Sequence, residues 1–190
     1  VCAIGVNDSG ITNAGCGYIF NDGVELVKVP YGGYINKYGL LEKIDEYAFK
    51  GCVYLSDISL PDSLKEIGAN AFKDCSGLQF NEYEKGYYLG NEQNPYLVLV
   101  KTAERRVKSF SIHPDCKIIY DSAFKDAVSL EQIVLPNGIV DIGAFAFNGC
   151  SSLVDVSLPN TLENISEGAF KNCIYLEEID IPNSVTSFGK

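Results

Sequence analysis

The sequence predicts an α/β solenoid with one short parallel strand and one short helix per coil, and three observations predict it. Ile44, Ala48, Phe49, Cys52, Leu55, Ile58, Leu60 and Pro61 return 23 residues later as Ile67, Ala71, Phe72, Cys75 and Leu78. The series resumes with Ile119, Ala123, Phe124, Ala127, Leu130, Ile133, Leu135 and Pro136, and it is filled again from Ile142 to Pro159 and from Ile165 to Pro182. Each unit changes its own periodicity from helix-like to strand-like partway through. A fixed period of this length means stacked coils, because one coil cannot bury its apolar face alone.

Within the second unit Ile67, Ala71, Phe72, Cys75 and Leu78 lie at offsets that fall on one face of a helix, so a short helix of about two turns is expected in each coil. Asp45, Gly68, Tyr120, Gly143 and Ser166 stand at its entry, and four of these five are N-cap types. Gly51, Asp74, Asp126, Gly149 and Asn172 precede the Cys column, and most of these residue types tolerate the left-handed conformation that closes a helix. Leu-x-x-Ile-x-Leu-Pro, as in Leu55–Pro61, then asks for a short strand ended by Pro and a turn. Six such strands, counted from Val27 to Ile181, are expected to form one parallel sheet.

The full spelling Ile-x-x-x-Ala-Phe-x-x-Cys-x-x-Leu-x-x-Ile-x-Leu-Pro resembles the BspA-type leucine-rich repeats of bacterial and protist surface proteins. The resemblance covers residues 41–78 and 110–190 and implies a non-enzymatic role in attachment to host matrix, plasma or cell-surface proteins. It carries no contact residues over, because the shared motif consists of core positions.

Residues 1–40 lack the period and are expected to cap the solenoid, with 41–190 forming the repeat domain. Between Leu78 and Phe110 one coil is swollen. Gly86–Asn91 and Tyr96–Lys101 read as a β-hairpin around a polar turn, so an insert at 79–109 is expected to project as a separable element. Val185–Lys190 begins another unit, so the repeat is expected to continue in the parent protein.

Fifteen basic and 25 acidic residues give a net charge of −10. A chain this acidic lacks the broad positive field that phosphate backbones require, which excludes nucleic acid from the expected partners. No apolar run approaches the roughly 20 residues that span a bilayer, so no membrane insertion of this segment is expected. An extracellular or cell-surface location is the expectation.

Cys52, Cys75, Cys150 and Cys173 occupy one column that also accepts Ala127, and Cys116 occupies a column of Leu, Ile and Val, so these thiols are expected to be buried and reduced. Cys2 and Cys16 lie outside the repeats and are the one pair open to bridging. No Cys-x-x-Cys spacing exists and His113 is the only imidazole, so neither a metal nor a cofactor is expected. The columns supply no nucleophile and base, and no enzyme activity is expected. Glycosylation of the sequons at Asn7 and Asn164 depends on the compartment.

What remains for function is surface. Outward strand positions should lie in register across coils: Asp57 and Ser59, Ser109 and Ser111, Gln132 and Val134, Asp155 and Ser157, Glu178 and Asp180. The insert offers a second surface in Tyr87, Tyr88 and Tyr96 beside Arg105 and Arg106. Residues 79–109 carry five positive and four negative charges, leaving the remainder at −11. The strand face suits a protein partner on a host or neighbouring cell or in the matrix. The tyrosines suit glycans, and a plain spacer within a larger surface protein is the alternative to both.

Overall fold

Coils of 23 residues stack because each offers the next a row of backbone N–H and C=O groups, and the solenoid follows from meeting them. The computed structural model describes residues 41–189 throughout and, ahead of them, the backbone of five short strands: β1 (Val6–Asn7), β2 (Gly10–Ile11), β3 (Ile19–Asn21), β4 (Glu25–Val27) and β5 (Tyr34–Ile35). β4 pairs antiparallel with β3, so Val27 does not begin the parallel stack as expected. The expected cap role of 1–40 otherwise lies outside the described residues, as do Cys2, Cys16 and the side chain of Asn7.

Strand β6 (Leu41–Ile44) pairs antiparallel with β5 and parallel with β7 (Glu66–Ile67). There follow β8 (Asn81–Tyr83), β9 (Gly86–Leu89), β10 (Val98–Thr102), β11 (Ser109–Ser111), β12 (Ile118–Ile119), β13 (Gln132–Val134), β14 (Asp141–Ile142), β15 (Asp155–Ser157), β16 (Asn164–Ile165) and β17 (Ser187–Phe188). Of the six strands expected in one parallel sheet, three form a sheet of their own, β11-β13-β15, the first at 109–111 in place of the expected 110–112, and the stretch 55–61 keeps only a single bridge at Ser59. Residues 178–180 do not join it as a strand. A second sheet, β17-β16-β14-β12-β10-β9-β8, runs through the Ile column, parallel from β10 to β17.

The expected helix is absent from every described coil, and the hydrogen bonds give the reason. An α-helix would commit its interior N–H groups within the coil. Here they alternate. Ala48, Lys50 and Cys52 donate to the carbonyls of Asp45, Tyr47 and Phe49, while Tyr47, Phe49 and Gly51 donate to Ala69, Ala71 and Lys73 one coil on. The same alternation recurs from Ser122 to Gly149. Two left-handed residues per coil make such a ribbon of turns possible. The expected one appears at Gly51, Asp74, Asp126, Gly149 and Asn172, and an unexpected one lies four residues earlier at Tyr47, Asn70, Ser122, Phe145 and Gly168. Gly168 also has the Phe145 ring over it, where an added Cβ would sit 2.6 Å from Cε1.

The Cys column does more than fill space. Cys75, Cys150 and Cys173 donate their thiol protons to the carbonyls of Phe49, Phe124 and Phe147, one coil earlier, at 3.0, 3.2 and 3.2 Å. Cys116, Cys150 and Cys173 are buried as expected, whereas Cys52 and Cys75 are half-buried. For Cys75, the coil that would cover it is the one displaced by the insert. The adjoining Cys173 thiol and burial push the Cys150 thiol up, and burial pushes Cys116 up to about 12. Thiolates are the reactive form, so Cys116 and Cys150 should resist an alkylating reagent for as long as the fold holds. Mass spectrometry of the labelled native protein checks this, and labelling of these two as fast as in urea would contradict it. Replacing Cys150 with Ser leaves the hydroxyl within reach of the same Phe124 carbonyl, so urea titration should show a cost at the low end of the roughly 1–3 kcal/mol of an unpaired buried hydroxyl.

The insert is not a separable projection. β9 and β10 pair antiparallel as the sequence suggested, with Tyr87 opposite Lys101 and Tyr88 opposite Leu99. But β10 also joins β12 in the parallel ladder, Val98 opposite Ile118 and Leu99 opposite Ile119. Alternate side chains of this wall serve two cores. Tyr88, Leu99 and Ile119 pack with the coils that follow, while Leu89, Val98 and Ile118 pack with coils 41–78. On the other side of the chain Ser59 bridges in parallel to Gly90, so the insert takes the place of the next coil there as well.

Where the regular stack is broken, side chains replace the missing backbone. The N–H groups of Asn70 and Phe72 face where the carbonyls of a next coil would be, and instead donate to the Asp121 carboxylate at 2.8 Å and the Tyr120 hydroxyl at 2.9 Å. Phe72 stacks on Phe49 at 5.2 Å and leans on Tyr120 at 5.7 Å. Coils 41–78 therefore dock on the outward face of the second sheet through Ile118, Val98 and Tyr120.

Candidate protein-recognition face

Strand alternation builds the face. Phe110, Ile133 and Val156 point into the core, so their neighbours on either side must point out. Ser109, Gln132 and Asp155 are in register across β11, β13 and β15, and Ser111, Val134 and Ser157 form the second row. All six are exposed. Val134 is 72% exposed, an apolar residue in the middle of a polar row, and the prolines Pro114 and Pro136 flank it in one shallow groove. Glu178 and Asp180 continue the rows in the next coil, exposed but without a strand, and Glu177 adds a third carboxylate to a groove shared with Asp155.

The electrostatics divide this face. At the β11 end Lys108 pairs with Glu131 at 3.1 Å and, nearby, Lys85 with Glu104 at 3.0 Å. At the β15 end Asp155, Glu177, Glu178 and Asp180 carry no ion pair among the described residues, leaving a one-signed field toward solvent.

The structure does not bring Asp57 and Ser59 into this face. Ser59 is half-buried against Gly90, and the two residues line a separate cleft with the insert residues Asn81, Asn91 and Glu92. The hairpin surface is corrected further. Tyr88 has no exposed area and its hydroxyl accepts the backbone N–H of His113 at 3.2 Å, so its ring is no platform for a ligand. Burial holds that phenol above its ordinary range.

Tyr87 is half-buried, its face taken by the Lys101 ammonium 5.2 Å from the ring centre. Tyr96 is half-buried and stacked on His113 at 4.1 Å, with Tyr83 edge-on to the same imidazole at 4.6 Å. Only Arg105 and Arg106 keep the exposure expected of them. Sequence reasoning missed the His113 cluster because its members lie 13 and 17 residues apart along an irregular segment, with no period to align them.

Among the described residues no group of three or more His, Cys, Asp or Glu side chains lies close enough to share a metal ion, and no helix is long and apolar enough to cross a membrane.

The family model described as a BspA type leucine rich repeat region matches residues 35–90 and 104–190 in six copies. Its gap falls on the insert. The solved structures similar to this chain include two bacterial surface proteins or antigens. One is a leucine rich cell surface protein from Faecalibacterium prausnitzii, 28% identical with a TM-score of 0.54, the likeness covering 77% of this chain and 40% of that one. The other is the pneumococcal vaccine antigen PcpA, 27% identical with a TM-score of 0.54, covering 82% of this chain and 40% of that one. The likeness thus spans well under half the length of both neighbours. No curated relative matches the chain.

Proposed function

Since this chain belongs to the BspA-type leucine-rich repeat family, we propose that it is a non-enzymatic recognition or adhesion segment of a cell-surface or secreted protein, and that it meets a protein partner on the open face of β11, β13 and β15. The observation that supports this reading is the pair of exposed in-register rows holding Val134 and Asp155, with the carboxylates of Glu178 and Asp180 in the groove beside Asp155. Solenoids use such extended surfaces to bind other proteins. An exposed apolar residue rimmed by polar ones is the usual anatomy of a contact patch. A surface location is supported by the neighbour described as a cell surface protein. The partner class is a surface or matrix protein of a host or neighbouring cell. Glycans are the weaker candidate, since Tyr88 is buried, the Tyr87 face is covered by Lys101 and Tyr96 is already stacked on His113.

A partner drawn to the acidic end is basic, and its association weakens as salt rises, because exposed charges are screened over about 8 Å at physiological ionic strength. A panel of immobilised matrix proteins and glycans identifies the ligand. Reversing Asp155, Glu178 and Asp180 to Lys is then expected to weaken binding at least about tenfold, since like charges facing each other across an interface cost several kcal/mol. Replacing Tyr87 and Tyr96 with Ala should leave it unchanged. Binding that survives both sets of changes would remove this face as the site, and failure to bind any member of the panel would favour a spacer.

A further inference from the structure

Asp141 is the one fully buried charged-type side chain of the described protein, and it sits at the joint where coils 41–78 dock on the later stack. It lies on β14 next to Ile142. Ile142 points into the later core, so Asp141 points the other way, toward the docked coils. Oδ1 accepts a hydrogen bond from the Asn164 amide, which also donates to the Ser166 hydroxyl, while Oδ2 is buried with no hydrogen-bond partner. Two further side-chain oxygens cross the joint and stand in for carbonyls, those of Asp121 and Tyr120 on the N–H groups of Asn70 and Phe72. A carboxyl with an unsatisfied buried oxygen tolerates the neutral form far better than the charged one.

The charged groups around it do not compensate. Across the joint stand Glu66 and Lys43, which are paired with each other at 2.7 Å. On the coil before it, Lys117 is turned to Asp62, whose backbone carbonyl it meets at 3.0 Å. On the coil after it Asn164 is uncharged, and the adjacent Glu163 is exposed.

We propose that Asp141 makes this joint a pH-sensitive latch: with the carboxyl protonated coils 41–78 stay docked on the second sheet, and its ionisation loosens them. Burial pushes the group up to about 8, with Glu66 adding to the rise and Asn164, the Ile67 N–H and Lys43 opposing it. The sign follows from linkage. Exposed, the same carboxyl ionises near its ordinary value of about 3.9, so between about pH 4 and 8 the closed joint holds a proton that the open joint has lost. Closure is therefore most favoured at the acidic end of that window, weakens as pH rises, and levels off above about 8.

Hydrogen exchange at the Asn70 and Phe72 amides reads the joint directly, with Phe124 and Phe147 as controls inside the later stack. After removal of the intrinsic pH dependence of exchange, the opening constant at Asn70 and Phe72 should rise about tenfold per pH unit between about pH 5 and 8. Asp141→Asn should abolish that slope, and the two control amides should lack it in the unaltered protein. Equal slopes in the variant and the parent would overturn the proposal, and the same slope at the control amides would make Asp141 a determinant of global stability and no latch. Carboxyl-carbon NMR of the unaltered protein gives an independent reading should the variant fail to fold. Titration of Asp141 near 4 would refute the proposal, and titration well above 6 would support it.

Discussion

Replacing residues 80–108 with a three-residue link is expected to abolish cooperative unfolding. The deletion removes Tyr88, Leu89, Leu97, Val98 and Leu99, all buried, and with them both faces of the wall between the two cores. At about 1.5–3 kcal/mol for each fully buried apolar side chain, the loss is roughly 8–15 kcal/mol. That is as large as the whole stability of a typical domain, about 5–15 kcal/mol. Urea titration followed by circular dichroism checks the outcome. A single steep transition with the parent's slope would show that the coils can close over the gap, and would return the insert to the status of an appendage. Leu99→Ala is the milder version of the same test, expected to cost about 2–5 kcal/mol because it opens a cavity on the β10–β12 ladder.

The sequence made the period legible because its carriers are core positions: Ile119, Ile142 and Ile165 align in the second sheet, and Phe124, Phe147 and Phe170 align in the interior. Helix and turn ribbon were not separable on that ground, since both put the same apolar offsets inward. The separating signal is the left-handed column four residues before Gly51. There Asn70 and Gly168 are suggestive, but Tyr47 and Phe145 conceal it.

The wall was written in plain sight. Tyr96–Val100 is an unbroken apolar run, and a strand apolar at successive positions is one buried on both faces. Read as half of a projecting hairpin, it should have alternated. The recognition face was legible at Ser109, Gln132 and Asp155, where strand alternation alone sets direction. It failed at Asp57 and Ser59, because their neighbour is set by where the insert re-enters at Gly90, and local sequence does not encode that. The acid at 141 was hidden for a related reason. Its column also holds Ile118 and Asn164, a mixture that says nothing of what docks against it.

Phe147→Ala is expected to be the most damaging single substitution in the later stack, at about 3–5 kcal/mol. The ring has no exposed area and lies parallel between two others, Phe124 at 4.9 Å and 6° and Phe170 at 5.2 Å and 1°. Stacked pairs add about 0.5–1.5 kcal/mol beyond burial, so a ring with two partners loses that twice. Nearest-neighbour logic makes the prediction sharper than a figure for one residue. In a solenoid the stability is close to a sum of coil and interface contributions, and an interior ring belongs to two interfaces. Phe170 is half-buried and has one stacking partner among the described residues, so Phe170→Ala should cost clearly less. For a chain of this length 1 kcal/mol moves the midpoint by about 2–4 °C, so Phe147→Ala should lower Tm by roughly 6–20 °C and Phe170→Ala by a fraction of that. Thermal unfolding of the two variants side by side measures the difference. Equal costs would mean that neither the deeper burial of Phe147 nor its second stacking partner adds to stability, and that the stacking along the column carries none of the coupling between coils.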